Sequence, residues 1–260
     1  MVSTSKRQIM RHHRDMVEHF EDTLAVECGL NIVVNGRQVG RTMCTPGMDR
    51  QLVLGLLYTE GLIPHAHVVR DMQFESHDRW EMTAHVVLDE MPTSSDEDIT
   101  HSTPRHAGKS VDVHRIMHAM QVMEASQDVF RRTGATHCAA LFDIHGCQLG
   151  VAEDIGRHNA LDKAIGSALE QDILEQAAMA TISSRLSYEL VKKAVAIGLT
   201  FLCGISVATS LAMDVANAHG ITLIGRVRGG RMNVYTHKDR ITMSRTMIRR
   251  PRSVLHSVSS

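Results

Sequence analysis

The sequence predicts an α/β protein: a parallel or mixed sheet covered by helices on both faces, preceded by a small α+β module. Three observations carry this expectation. From residue 137 onward, short apolar β-type runs alternate with helical patterns. Gly198 and Gly220 stand just past two of those helical patterns, where a helix-ending glycine belongs. Far upstream, Asn35-Gly36 sits between two apolar runs, a strong signal for a two-residue hairpin.

Taken in order, residues 1–23 are charged throughout and read as a polar lead-in with at most a short helix. LAVECGLNIVVNGRQVGRTMC gives two strands around Asn35-Gly36, closed by Thr45-Pro46-Gly47. MDRQLVLGLLYTEGLI is an amphipathic helix with Gly61 past its end. DMQFES and WEMTAHVVLDE are two further strands joined near His77-Asp78. Residues 90–109 are polar and aperiodic, with Pro92 and Pro104 excluding regular pairing, so a mobile loop is expected there. Ser110 is a natural N-cap for a helix carrying apolar residues at 113, 116, 117, 120 and 123, with Gly134 as its stop. THCAALFD and CQLGVAED form two strands around His145-Gly146, and RHNALDKAIGSALEQ is the helix after them. AMATISS, TFLCGIS and ITLIGRV are strands, with helices SYELVKKAVAIG and ATSLAMDVANAHG between them and a strand RMNVYT after a glycine turn. The expected organisation is a module at 1–108, an α/β domain at 109–250 and a tail at 251–260.

Composition excludes several classes. At 260 residues, with 43% hydrophobic and 22% charged side chains, the chain can bury a substantial core and is not disordered. Aromatics at 3% disfavour a base-stacking nucleic-acid binder. No apolar run reaches the roughly 20 residues that span a bilayer, and the charged start has no signal-peptide core, so a cytoplasmic protein without membrane contact is expected. The five cysteines, at 28, 44, 138, 147 and 203, are widely spaced and read as thiols in a reducing compartment. No His-Glu-x-x-His pattern occurs, and no metal site is expected.

Net charge is −1, yet residues 226–260 hold nine Lys or Arg against one acid, while the first 225 carry 19 bases and 28 acids. That asymmetry points to an anion near the C-terminal part. Two segments have chemistry. Residues 152–166, AEDIGRHNALDKAIG, crowd Glu153, Asp154, Arg157, His158, Asn159, Asp162 and Lys163 around a strand-to-helix junction, where α/β proteins collect ligands. The bland alternative is a capped helix with Arg157 and Lys163 in solvent. The second segment is Arg226-Val227-Arg228-Gly229-Gly230-Arg231. Glycine admits close backbone approach and arginine offers a fork that matches phosphate. The alternative there is a Gly-Gly hairpin turn with its arginines solvated.

TPGMDRQLVLGLLYTEGLI, TGATHCAALFD, EDIGRHNALDKAIG, SYELVKKAVAIG and TSLAMDVANAHGITLIGRVRGGRMNVYTH, in this order, resemble the formate dehydrogenase accessory protein family, FdhD, sulfur carriers for molybdenum enzymes. The resemblance runs from about Val26 to His237. It implies a three-layer, cytidine-deaminase-like core with a mixed sheet. It also implies a cytoplasmic homodimer that binds the molybdenum bis(molybdopterin guanine dinucleotide) cofactor. The implied partners are a cysteine desulfurase and formate dehydrogenase. Residues 226–231 are the candidate cofactor-binding segment, with His158 and Asn159 as a second wall.

One departure bears on mechanism. The family carries a Cys-x-x-Cys in a loop before a helix opening with Gly-Lys; matched on Gly108-Lys109, those positions fall on Pro104 and Ala107. Neither can carry a persulfide. Cys147 is the nearest substitute nucleophile. Arg226 also stands where an aromatic residue is expected. Two readings follow: a sulfur-delivering accessory protein, or a cofactor-binding chaperone that has lost the carrier thiols. A deaminase is disfavoured, because no His-x-Glu followed by Pro-Cys-x-x-Cys occurs.

Overall fold

The computed structural model describes residues 2–89 and 103–243. It is a mixed α/β architecture with six α-helices among the described residues. The chain opens with an antiparallel hairpin, β1 (Thr4–His13) and β2 (Met16–Ala25), where the sequence led us to expect a polar lead-in. Opposite charges face each other across this hairpin: Arg7 pairs with Asp22 and Arg11 with Glu18 in register, and Lys6 Nζ lies 2.7 Å from Glu21. Such cross-strand pairs stabilise strands that bury little.

A four-stranded sheet follows, in the order β4 (Arg37–Cys44), β3 (Cys28–Val34), β6 (Glu81–Leu88), β5 (Val69–Ser76). Asn35 and Gly36 both take positive φ, so the mirror-image turn expected between β3 and β4 is present. Helix α1 (Asp49–Thr59) covers this sheet and buries Leu52, Val53, Leu54 and Leu57.

The second sheet has six strands in the order β13 (Arg231–Val234), β12 (Thr222–Arg228), β11 (Phe201–Gly204), β10 (Met179–Ile182), β8 (His137–Phe142), β9 (Gln148–Asp154). β10, β11 and β12 are parallel; β8, β9 and β13 pair antiparallel with their neighbours. Alternation sorts the side chains. Cys138, Ala140 and Phe142 face α2 (Val113–Ala125) through Ile116, Met120 and Met123. Ala139, Leu141, Ala180, Ile182 and Leu202 face the other way, onto α4 (Arg157–Glu170), α5 (Tyr188–Ala196) and α6 (Ser210–Ala218). Helices therefore cover both faces of the mixed sheet.

That second core continues without a break into α1 and the four-stranded sheet. The junction is the crossing of α1 and α4, and two glycines make it possible. A Cβ on Gly55 would lie 1.9 Å from the carbonyl oxygen of Asp162, and one on Gly166 would lie 1.9 Å from that of Gln51.

Three local expectations are corrected. Ser110 is not the cap of α2: Asp112 is, its carboxylate accepting from His114 N at 2.8 Å after a two-residue strand, β7 (Val111–Asp112). Gly134 does not end α2; it ends a separate short helix, α3 (Asp128–Thr133), in the left-handed conformation. Within the expected mobile loop, residues 90–102 lie outside the described residues, but 103–109 are packed. Pro104 is buried against Gly220, Arg105 N donates to Gly198 O at 2.9 Å, and Arg105 pairs with Glu175 at 2.8 Å. Pro104 did not prevent docking.

Candidate functional site

The carboxyl ends of β10, β11 and β12, with the first turns of α4 and α5, form one crown of the large sheet. Open α/β sheets place ligands at this end. The 226–231 segment lies on it. After Gly225 the β12–β13 register shifts in a bulge, with Arg226 at φ 53°. A left-handed arginine is a strained position. Val227 turns inward beside Ile224 and anchors the strand. Gly229 and Gly230 follow at φ 57° and 72°, the mirror-image turn that tight hairpins require.

That turn makes Arg228 and Arg231 direct cross-strand partners. Both are exposed, and neither has an ion pair among the described residues. Like charges placed opposite each other destabilise a hairpin. An anion held between the two guanidiniums removes that repulsion.

Two hollows open on the crown. One, of about 700 Å³, is lined by Gln127, Phe130, Arg131, His137, Ser183 and Arg228, among others. The other, of about 410 Å³, is lined by His158, Asn159, Asp162, Tyr188 and Lys193, among others. The structure thus brings Arg228 to one hollow and His158 and Asn159 to its neighbour; His137 and His158 stand close enough to influence each other. Burial, helped by Arg157, holds both imidazoles below their ordinary range and so favours their neutral form. His137 and Ser183 escaped the sequence-based list of candidates, while Arg157 was named only as part of the 152–166 junction. The available signal was their position: each follows or opens an element at the sheet's carboxyl end.

Polar atoms at the helix starts are short of partners. Arg157 Nε, His158 Nε2 and Ser187 Oγ are buried without a hydrogen bond, although His158 Nε2 lies 3.2 Å from a Glu189 carboxylate oxygen. Asn159 is fully engaged. It accepts from Thr42 Oγ1 at 3.0 Å and donates to Met43 O at 2.7 Å and to Asp154 at 3.1 Å.

Lys163 is not solvated, as the bland reading held. It is 1% exposed and pairs with fully buried Asp154 at 2.7 Å, while also donating to Thr45 O at 2.7 Å. Asp154 further accepts from Thr45 N and Gly156 N at 3.0 and 2.8 Å. The pair latches the end of β4 to the start of α4. Nearby, burial pushes the Asp162 carboxyl up to about 6, against the pull of Lys193 at 3.0 Å.

Residues 103–109 dock at the opposite end of the sheet and contain no cysteine. Cys28, Cys44, Cys138 and Cys203 are buried, and burial pushes Cys44 and Cys138 up to about 12. Cys147 is exposed, in the β8–β9 turn where Asp143 accepts from its backbone N at 2.7 Å. Among the described residues no cluster of three or more His, Cys, Asp or Glu could hold a metal, and no helix is long and apolar enough to cross a membrane.

Residues 25–242 match the model of the FdhD/NarQ family. The chain is 36% identical to the sulfur carrier protein FdhD of Mycobacterium tuberculosis, over 92% of this chain and 99% of that one. It is 37% identical to the sulfur carrier protein FdhD of Sulfurisphaera tokodaii, over 76% of this chain and 82% of that one. The fold matches a crystal structure from Desulfotalea psychrophila, described as a formate dehydrogenase accessory protein, with a TM-score of 0.77 and 23% identity, over 92% and 99% of the two chains.

Proposed function

The chain belongs to the FdhD/NarQ family, and from that premise we propose that it is a cytoplasmic accessory protein for formate dehydrogenase maturation. It binds the molybdenum bis(molybdopterin guanine dinucleotide) cofactor as cargo at the crown of its large sheet. The observation that carries the binding site is the unpaired cross-strand couple Arg228 and Arg231 around two left-handed glycines. Two forked cations at a turn of open backbone suit a diphosphate. The cargo supplies the metal and its sulfur ligands; the chain supplies charge, orientation and a partly enclosed surface. Helices on both faces of the mixed sheet support the cytidine-deaminase-like description. Formate dehydrogenase, a cysteine desulfurase and a second copy of the chain are the partners on this reading.

Family membership favours sulfur transfer from the desulfurase to the cargo. A specific observation favours the second reading, a chaperone that holds the cofactor without moving sulfur. Pro104 and Ala107 stand at the carrier positions, and their segment is pinned by Arg105 to Gly198, Leu174 and Glu175. A sulfur arm needs a thiolate and freedom to swing. Mass spectrometry after incubation with a desulfurase and cysteine separates the two. The expected result is no sulfur on residues 103–109 and at most a trace on Cys147. Stoichiometric persulfide on one cysteine restores the carrier mechanism at a new position.

A further inference from the structure

The hairpin β1–β2 is a two-stranded sheet of its own, and all but its last residue precedes the segment matched by the family model. Two strands alone are marginal in water; a third strand or a covering element is needed for independent stability. β2 lies beside α3, so β1 is the outer strand. Its ten residues include no proline or glycine, and the register from Thr4–Ala25 to His13–Met16 has no bulge. The devices that blunt a sheet edge by shape are therefore missing. Beyond the β1–β2 ladder, the backbone of residues 4–13 has one partner among the described residues, the Arg7 guanidinium on Lys6 O at 2.9 Å.

Charge is sorted by strand. β1 holds Lys6, Arg7 and Arg11 and no acid, while β2 holds Glu18, Glu21 and Asp22 and no Lys or Arg. All three cations are exposed. The pleat also sorts the faces. Arg7 and Arg11 lie on one face, opposite Asp22 and Glu18. On the other face Lys6 is engaged by Glu21, and Met10 and Val17 are diagonal neighbours, 54% and 53% exposed. A second copy pairing through its own β1 would set cation against cation, which destabilises a sheet. An acidic strand meets the opposite condition.

We propose that the free edge of β1 docks an extended segment of a partner protein in which acidic residues alternate with apolar ones. The segment adds a third strand, and main-chain hydrogen bonds supply the affinity. Its acids fall beside Arg7 and Arg11, and its apolar side chains beside Met10. The surface does not involve the crown arginines and is independent of cofactor binding there.

The test is fluorescence anisotropy of the full chain with short labelled peptides. An alternating Glu-Val peptide should bind, and a Lys-Val peptide should bind at least about tenfold more weakly. A Glu-Pro peptide keeps the charge but lacks the N–H of every second residue, and should bind as weakly as Lys-Val. Amide hydrogen exchange should show alternate residues of β1 protected by the Glu-Val peptide. Exchanging charges between the strands, Arg7→Glu and Arg11→Glu with Asp22→Arg and Glu18→Arg, keeps the cross-strand pairs and should reverse the preference to Lys-Val. No binding of Glu-Val, or equal binding of Glu-Val and Glu-Pro, overturns the proposal. So does an exchanged protein that still prefers Glu-Val, or protection of the β1 edge that rises with protein concentration without peptide, since a second copy then covers it.

Discussion

Arg231→Glu abolishes guanosine diphosphate binding while leaving the fold as stable as before, or more so. The two effects have one cause. In the free protein Arg228 and Arg231 repel each other across the turn. Glutamate at 231 converts that repulsion into a cross-strand ion pair, which helps the hairpin by a few tenths of a kcal/mol to about 1 kcal/mol. For the ligand the change is the reverse. A charge-assisted hydrogen bond of about 1.5–3 kcal/mol is lost, and the new carboxylate repels the phosphates. Affinity should fall by more than about tenfold, read by calorimetry, with the thermal midpoint unchanged or raised. Equal affinity in wild type and variant would return both arginines to a solvated hairpin.

The largest expected effect on stability belongs to Lys163. Replacing it with methionine leaves Asp154, fully buried, without its counter-ion at 2.7 Å. Removing one partner of a buried pair costs about 3–5 kcal/mol, because the remaining charge cannot regain water. Asp154 keeps its bonds from Thr45 N, Gly156 N and Asn159, which places the loss toward the lower part of that range. Urea unfolding should show the midpoint falling sharply. A change below 1 kcal/mol would mean that the pair is hydrated in solution and does not latch β4 to α4.

Both residues show how far the sequence could be read. The alternation of β10, α5, β11, α6 and β12 was legible because each strand is a short apolar run and each helix ends on a left-handed glycine, Gly198 or Gly220. The turn at Asn35-Gly36 was legible for the same reason: its conformation has a residue preference. The β1–β2 hairpin was not. Its turn is Arg14-Asp15, with Arg14 at φ 53°, and its strands are held by charge pairs rather than by an apolar face. A solvated Lys163 was the bland alternative because a lysine on a helix usually is exposed. Its partner comes from the preceding strand, through a junction that periodicity does not describe. The Gly229-Gly230 hairpin was legible, and with it the cross-strand placement of Arg228 and Arg231; the bulge after Gly225 was not. The lining of the larger hollow gathers α2, α3, β8, β12 and the loops after α2, α3, β10 and β11, so no single sequence window contains it.

On the proposed reading, this chain matures formate dehydrogenase by holding the cofactor at the crown, without the loop thiols. The most direct measurement is formate dehydrogenase activity in cells whose own family member is deleted and which are supplied with this chain. Wild type should restore activity, Cys147→Ser should restore it equally, and Arg228→Glu with Arg231→Glu should not. Failure of wild type to restore any activity, or full restoration by the double charge reversal, would contradict the account.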